Sequence, residues 1–518
     1  MGPQLIMIFR APEAQLAIPD VALTPFLLER AALWGDKPAM IDSANGRVLT
    51  YRQWSDSVRR AAASLTRRGF RKGDVFAIYS ANCPDYAIAF HAVSLLGGIV
   101  TTINPLYTVD ELTKQLKDAG ATWLVTELPF LDKAIRAAND VALREIFIFG
   151  EAPGETPFDS LLTSADEVPP VTIDSQNDVV VMPYSSGTTG LPKGVMLTHR
   201  NLVANILQCE AVFGMPEDTI TLGVLPFFHI YGMVVVMNLS FYVGATIVTM
   251  PRFDLEQCLR TIETHGVTVA YIVPPIVLAF ARSPLVDKYD LSSVRTLFSG
   301  AAPLSAEVAN AATTRLGCSM MQGYGMTETS PCTHVTRVGE SAGIGEPMPN
   351  TEAKIVDLST GSELGPNEEG EICIRGPQVM KGYLNRPDAT ASMIDTDGWL
   401  HTGDVGYADA RSRFFIVDRV KELIKYKGMQ IAPAELEALL LTHPAVADAA
   451  VIPLADEEAG QVPKAFVVLR SETTCEEIQA FVAARVAPYK KLRYVEVIDA
   501  IPRSPSGKIL RRLLAGRA

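Results

Sequence analysis

The sequence predicts an α/β fold: a large N-terminal domain of helix-covered β-sheets (residues 1–419) followed by a small α+β C-terminal domain (420–518). Three observations carry this prediction. Apolar β-branched runs alternate with helical patterns, the texture changes after Gly403, and 518 residues are too many for one hydrophobic core.

The runs at 75–79, 122–125, 146–149, 246–250, 267–273 and 294–298 read as strands, and the stretches between them as helices covering both sheet faces. One helix shows both its ends. Thr108 with Glu111 forms a capping box, Leu112, Leu116 and Ala119 share a face, and Gly120 closes it. After Gly403 the charged segment DRVKELIKYKG (418–428) leads to a second well-marked helix. Pro433 lies in its first turn, Glu435 and Glu437 near its positive end, and Leu436, Leu439 and Leu440 on one face. The domain boundary is placed near residues 419–421, and functional loops are expected at strand ends.

A net charge of −12 argues against a nucleic-acid or anionic-membrane partner, because neutralising phosphates needs clustered Lys and Arg. The seven cysteines are scattered and form no C-x-x-C pair, so neither a disulfide framework nor a zinc site is indicated, and a cytoplasmic location fits. Residues 1–20 show no secretory pattern. The apolar stretches 234–250 and 267–281 are interrupted by Asn238, Ser240, Gly244 and the pair Pro274 and Pro275, which predicts buried elements and no integral membrane segment.

Residues 184–194 read YSSGTTGLPKG. Hydroxyls at Ser185, Ser186, Thr188 and Thr189, glycines at 187, 190 and 194, and the charge of Lys193 suit donors wrapped round a polyphosphate. The Walker A pattern fails, because counting from Gly187 puts Pro192 at the second glycine position and Gly194 after Lys193. The loop says nucleotide without saying which bond breaks.

MQGYGMTETSP (321–331) sets Gln322, Gly323, Tyr324, Thr327 and Glu328 on a glycine-rich turn after a strand-like run at 318–321. A carboxylate beside a triphosphate serves Mg2+, which takes one or two carboxylates plus phosphate oxygens, so Glu328 is the candidate metal ligand. Its plainer reading is a helix-starting glutamate. WLHTGD (399–404) ends in Asp404 on a tight turn, where a carboxylate accepts ribose hydroxyls, although T-G-D is also a common turn. SGAAPLS (299–305), with Ala301 near its centre, lets a flat base or acyl group approach the backbone, or simply packs closely. The tail from 488 carries Lys490, Lys491, Arg493, Arg503, Lys508, Arg511, Arg512 and Arg517 against Glu496 and Asp499. Such a run is ordinarily a solvated face. Lys508, however, stands in PRSPSGK (502–508), a tight loop suited to aim one ammonium at developing negative charge.

In order, YSSGTTGLPKG, YGMTE (324–328), WLHTGD, DRVKELIKYKG and PRSPSGK resemble the core motifs of the adenylate-forming superfamily: acyl-CoA synthetases, firefly luciferases and peptide-synthetase adenylation domains. GEICIRG (370–376) and SSGTTGLPKGV resemble the signature boxes of the 4-coumarate–CoA ligases within it. The resemblance implies that a carboxylate attacks the α-phosphorus of ATP, giving an acyl-adenylate and pyrophosphate, and that coenzyme A then displaces AMP. Ser185, Ser186, Gly187, Thr188, Thr189 and Lys193 would hold phosphates, with Lys193 also catalytic. Gln322, Gly323 and Thr327 would touch nucleotide, Glu328 would hold Mg2+ and act in catalysis, and Asp404 and Arg419 would hold ribose and nucleotide. Lys508 would bridge α-phosphate and carboxylate.

The resemblance also makes the C-terminal domain mobile, with Lys421 as hinge and Lys425, Lys427 and Gly428 contacting adenylate and CoA. His229 and Tyr231 of PFFHIYGM (226–233), which alone would read as core residues, would line the acyl site with Ala301. The implied partners are a small carboxylic acid, ATP and CoA, with no carrier domain in the chain. An aryl or cinnamate-like acid is expected; a medium- or long-chain fatty acid is the alternative, and a luciferase-like oxygenase a more distant one. After Glu328 this chain has Thr329, Ser330, Pro331 and Cys332 where plant ligases commonly have Ala-Gly-Pro-Val, so the pocket floor departs from their pattern.

Overall fold

A computed structural model describes residues 7–185, 192–340, 342–420, 422–426, 429–456, 459–486, 488–503 and 507–516. Two large sheets dominate the N-terminal domain. The first has the order Gly382–Tyr383, Lys193–Thr198, Val179–Ser185, Ile99–Ile103, Val75–Tyr79, Ala121–Glu127, Glu145–Phe149, Thr156–Pro157, and is parallel from Val179–Ser185 onward. The second runs parallel from Ser319–Gly325 through Thr296–Ser299, Val269–Ile272, Ile220–Gly223 and Thr246–Thr249 to Pro38–Asp42, with antiparallel strands at both edges.

Parallel strands are covered on both faces, and their sequences show it: every residue of Val75–Tyr79 and of Thr246–Thr249 is buried. Helix Pro84–Leu95 is buried at every position from Pro84 to Ser94, because it touches strands of both sheets. The helix read from Thr108 and Glu111 runs Val109–Ala119 with both capping-box bonds formed, Leu112, Leu116 and Ala119 buried, and Gly120 left-handed at φ 66°. The interrupted apolar stretches are helices and strands of the interior. Among the described residues no helix is long and apolar enough to cross a membrane.

A five-stranded antiparallel sheet (Phe9–Arg10, Glu352–Val356, Gly370–Arg375, Leu400–Ala408, Phe414–Arg419) completes the large domain. The C-terminal sheet pairs Met429–Ile431, Ile424–Tyr426, Gly460–Leu469 and Val446–Asp456 antiparallel and adds Tyr494–Val497 in parallel. Helix Pro433–Leu441 starts at the expected proline and buries Leu436 and Leu440. Its free Ala434 N–H donates to Asp418 Oδ2 at 2.8 Å, so a carboxylate of the antiparallel sheet caps the first helix of the small domain.

Three expectations change. The glycine-rich segment after 318 is no turn: strand Ser319–Gly325 continues through it. Its glycines serve close approach, since a Cβ at Gly323 would lie 2.7 Å from the Phe298 ring and one at Gly325 1.8 Å from Pro331 O. Asp404 likewise sits in strand Leu400–Ala408, not in a tight turn. The basic tail is only partly a solvated face, because Lys490 pairs with Glu435, Arg503 with Asp448, and Arg511 with Glu422 and Glu437.

Candidate active site

The site lies where the parallel strands end, the place such sheets offer ligands. Asn82, in the loop after Val75–Tyr79, and Thr102, in strand Ile99–Ile103, pin the loop that follows Ile220–Gly223 in the second sheet. Asn82 donates to Gly223 O and Leu225 O (2.9 and 2.8 Å) and accepts from Phe227 N–H, while Thr102 donates to Phe228 O (2.8 Å). His229 is thereby fixed between the sheets.

Ser185 and Lys193 face each other across an antiparallel strand pair, so the two ends of YSSGTTGLPKG are held together as in a hairpin. Ser186, Gly187, Thr188 and Thr189 lie outside the described residues. Glu328, buried in the short 3-10 helix Thr327–Thr329, stands beside the base of that hairpin. Its Oε1 accepts from Ser185 Oγ and from Tyr383 Oη, each at 2.8 Å, and Lys193 Nζ lies 4.8 Å from the centre of the Tyr383 ring. Tyr383 was missed in the sequence; strand Gly382–Tyr383 pairs with Lys193–Thr198, a pairing no local pattern announces.

A second group forms round Asp404, also buried. Its Oδ1 lies 2.9 Å from Arg419 Nε and its Oδ2 accepts from Tyr324 Oη at 2.6 Å. Tyr324 is thus tied to the ribose candidate through its hydroxyl. Gln322 is buried nearby in the same strand, its N–H donating to Thr336 Oγ1 (2.8 Å).

Lys508, from the C-terminal domain, feels the charges of both groups. The preceding Gly507 packs against Pro275, to which a Cβ there would come within 3.3 Å, and its φ of 81° suits glycine. Burial pushes the Lys508 ammonium below its ordinary pKa, Arg419 adds to this, and Asp404, Glu328 and Glu422 oppose it. The lysine therefore stands within electrostatic reach of Glu328 and of the Asp404–Arg419 pair.

Behind these groups lies an aromatic wall. Tyr231 donates to Phe298 O (3.1 Å), and its ring centre lies 6.3 Å from those of Tyr271 and Phe298. A Cβ at Gly300 would come 3.1 Å from the Tyr231 ring, and Ala301 holds a left-handed φ of 73°. His229 is pushed down to about 4, by burial first and the Lys508 charge second, so its imidazole is neutral near pH 7. The departing residues 329–332 are all buried. Thr329 donates to Pro331 O (2.6 Å) and Ser330 to Gln378 O (2.9 Å), leaving Cys332, whose thiol lies 3.7 Å from where a Gly323 Cβ would be.

The described part of the segment expected to contact CoA lies elsewhere. Lys425 is exposed on the C-terminal sheet, its N–H donating to Gln461 of the same domain (2.8 Å). Lys421, Lys427 and Gly428 are outside the described residues.

Ser185 and Lys193, the buried Glu328 beside them, the Asp404–Arg419 pair and Lys508 are the site candidates that the structure brings into one region. Residues 27–384 match the family model of the AMP-binding enzymes and residues 435–508 that of the AMP-binding enzyme C-terminal domain; the chain belongs to this family. It is 45% identical over 527 residues to 4-coumarate–CoA ligase 1 of Solanum tuberosum, covering 99% of this chain and 96% of the relative. Among solved structures, ATP-bound MatB from Rhodopseudomonas palustris superposes with a TM-score of 0.87 at 27% identity, covering 96% of this chain and 99% of that one. The anthranilate CoA ligase AuaEII in complex with anthranoyl-AMP gives a TM-score of 0.87 at 26% identity, with 97% and 98% covered.

Proposed function

We propose that this chain is an ATP-dependent carboxylate–CoA ligase for aryl or cinnamate-like acids, forming acyl-AMP and pyrophosphate and then acyl-CoA and AMP. The observation that carries the reading is that Gly507, next to Lys508, packs on Pro275 of the large domain, with the Lys508 ammonium within electrostatic reach of Glu328 and of the Asp404–Arg419 pair. A carboxylate expels no leaving group until its oxygen is part of a mixed anhydride. Attack on the α-phosphorus brings an anionic carboxylate against an anionic phosphate, and one fixed ammonium offsets their repulsion and stabilises the charge on the α-phosphate.

In this reading residues 1–419 hold ATP and the acid, and 420–518 carry Lys508 in and out. Lys193 and the hairpin tip hold the departing phosphates, Gln322, Gly323 and Thr327 contact the nucleotide, and Asp404 and Arg419 orient the ribose. Lys421 is the hinge, and Lys425, Lys427 and Gly428 serve the CoA step after the domain has turned. Glu328 fits Mg2+ by its donor set: it is a buried carboxylate whose Oε1 is already held by two hydroxyls beside the phosphate loop. Bound there with ATP, the ion would neutralise charge on the phosphate oxygens.

Support for an aryl acid comes from the aromatic cluster of Tyr231, Tyr271 and Phe298, whose rings meet edge to face or tilted, beside Gly300 and Ala301, and from relatives named for 4-coumarate. Neutral His229 adds no charge to compete with the acid. Seven free thiols suit a cytoplasmic setting. A panel of acids assayed for ATP- and CoA-dependent AMP release is expected to give its highest kcat/KM with a hydroxycinnamate or benzoate. Turnover of saturated fatty acids with none of aryl acids would remove the aryl assignment and leave the ligase.

A further inference from the structure

Asp404 owes its place to an irregularity in the antiparallel sheet. Glu371 pairs with Val405 and Cys373 with His401, so Ile372 alone faces three residues, Thr402, Gly403 and Asp404, on the neighbouring strand. The surplus forms a bulge, with Gly403 left-handed at φ 70°. Backbone groups in a bulge drop out of the ladder and need other partners.

Side chains of GEICIRG and WLHTGD supply those partners. Glu371 Oε1 accepts from Gly403 N–H at 2.9 Å. Thr402 Oγ1 donates to Ile372 O at 2.7 Å and accepts from Asp404 N–H at 3.0 Å. The other oxygen of Glu371 lies 2.8 Å from His401 Nδ1, and Asp395 Oδ2 lies 3.7 Å from His401 Nε2. One ligand atom from each of Glu371, Cys373 and His401 lies within 4.8 Å of the others, a spacing a cation also accepts. The 2.8 Å contact is a hydrogen bond, however, and it occupies the ring nitrogen such an ion would need.

We propose that Glu371, oriented by His401, is a positioning residue for the nucleotide: it clamps the 402–404 bulge and so sets the Asp404 carboxylate on the ribose of ATP. The inference rests on the reading of Asp404 as the ribose ligand. It gives the second signature box a specific task, performed through Asp404 without contact with substrate.

The test is a double-mutant cycle on ATP affinity, measured by calorimetry with a non-hydrolysable ATP analogue and Mg2+, which requires no knowledge of the acid. E371A is expected to weaken binding about tenfold, in the range found for residues that orient a ligand-holding group. E371Q, which keeps an acceptor for Gly403 N–H, is expected to restore most of the loss. KM for the acid should stay near its original value. In a D404A background E371A should add little, because the clamp acts through the residue already removed. A full further tenfold loss in that background, or an equal rise in KM for the acid, overturns the clamp. If D404A itself leaves affinity unchanged, the ribose assignment falls and the clamp with it. Should E371A fail to fold, H401Q takes its place in the same cycle, with the same outcomes decisive.

Discussion

Lys508→Ala is expected to slow acyl-adenylate formation by about 10²–10³-fold, the usual cost of removing one preorganised group from a charged transition state, while thioester formation from supplied acyl-adenylate stays largely intact. The asymmetry follows from where the ammonium stands. It feels the charges of Arg419, Asp404, Glu328 and Glu422, the groups assigned above to nucleotide and Mg2+, and burial already disfavours its charged form. In the proposed cycle the C-terminal domain has turned before the thioester step, so this ammonium serves the phosphoryl transfer alone. The CoA thiol attacks an acyl carbon whose leaving group, AMP, is already made. Stopped-flow release of pyrophosphate, compared with CoA-dependent decay of synthetic acyl-adenylate, separates the two; equal loss in both contradicts the role. The same variant has an independent readout. His229 is lowered to about 4 chiefly by burial and secondarily by Lys508, so its titration should move upward yet stay below 6.5.

Glu328→Gln is expected to raise the Mg2+ concentration needed for half-maximal activity by about tenfold or more, with the fold preserved. The amide oxygen still accepts from Ser185 and Tyr383, which now donate to Oε1, so hydrogen bonding survives and only the charge is lost. Tyr383→Phe removes one of those donors and should have a smaller effect on the same curve. An unchanged Mg2+ dependence in Glu328→Gln, measured by initial rates at saturating ATP and acid, assigns the ion to other groups.

Much of this was legible in the residues. The capping box at Thr108 and Glu111, the proline start at Pro433 and the apolar runs are local signals, and local signals survive folding. The motifs carrying Glu328, Asp404 and Lys508 could be singled out as candidates because each packs its polar groups into a few consecutive positions. What could not be read depends on pairing between distant strands. Tyr383 reaches Glu328 only because Gly382–Tyr383 joins the edge of the first sheet. Asp404 sits on a bulge, which appears only when Gly370–Arg375 is laid beside Leu400–Ala408. The glycines at 323 and 325 looked like turn residues because close approach and turning favour the same amino acid, and only the Phe298 ring and Pro331 carbonyl distinguish the two. The basic tail misled in the same way: the carboxylates that neutralise Arg503 and Arg511 lie more than fifty positions away.

The most direct measurement is the product balance with 4-coumarate, ATP, Mg2+ and CoA, resolved by chromatography and mass spectrometry. The account predicts one AMP and one pyrophosphate for each 4-coumaroyl-CoA formed, with enzyme-bound coumaroyl-AMP accumulating when CoA is left out. ADP and phosphate in place of AMP and pyrophosphate, or thioester formed without an adenylate intermediate, would contradict it.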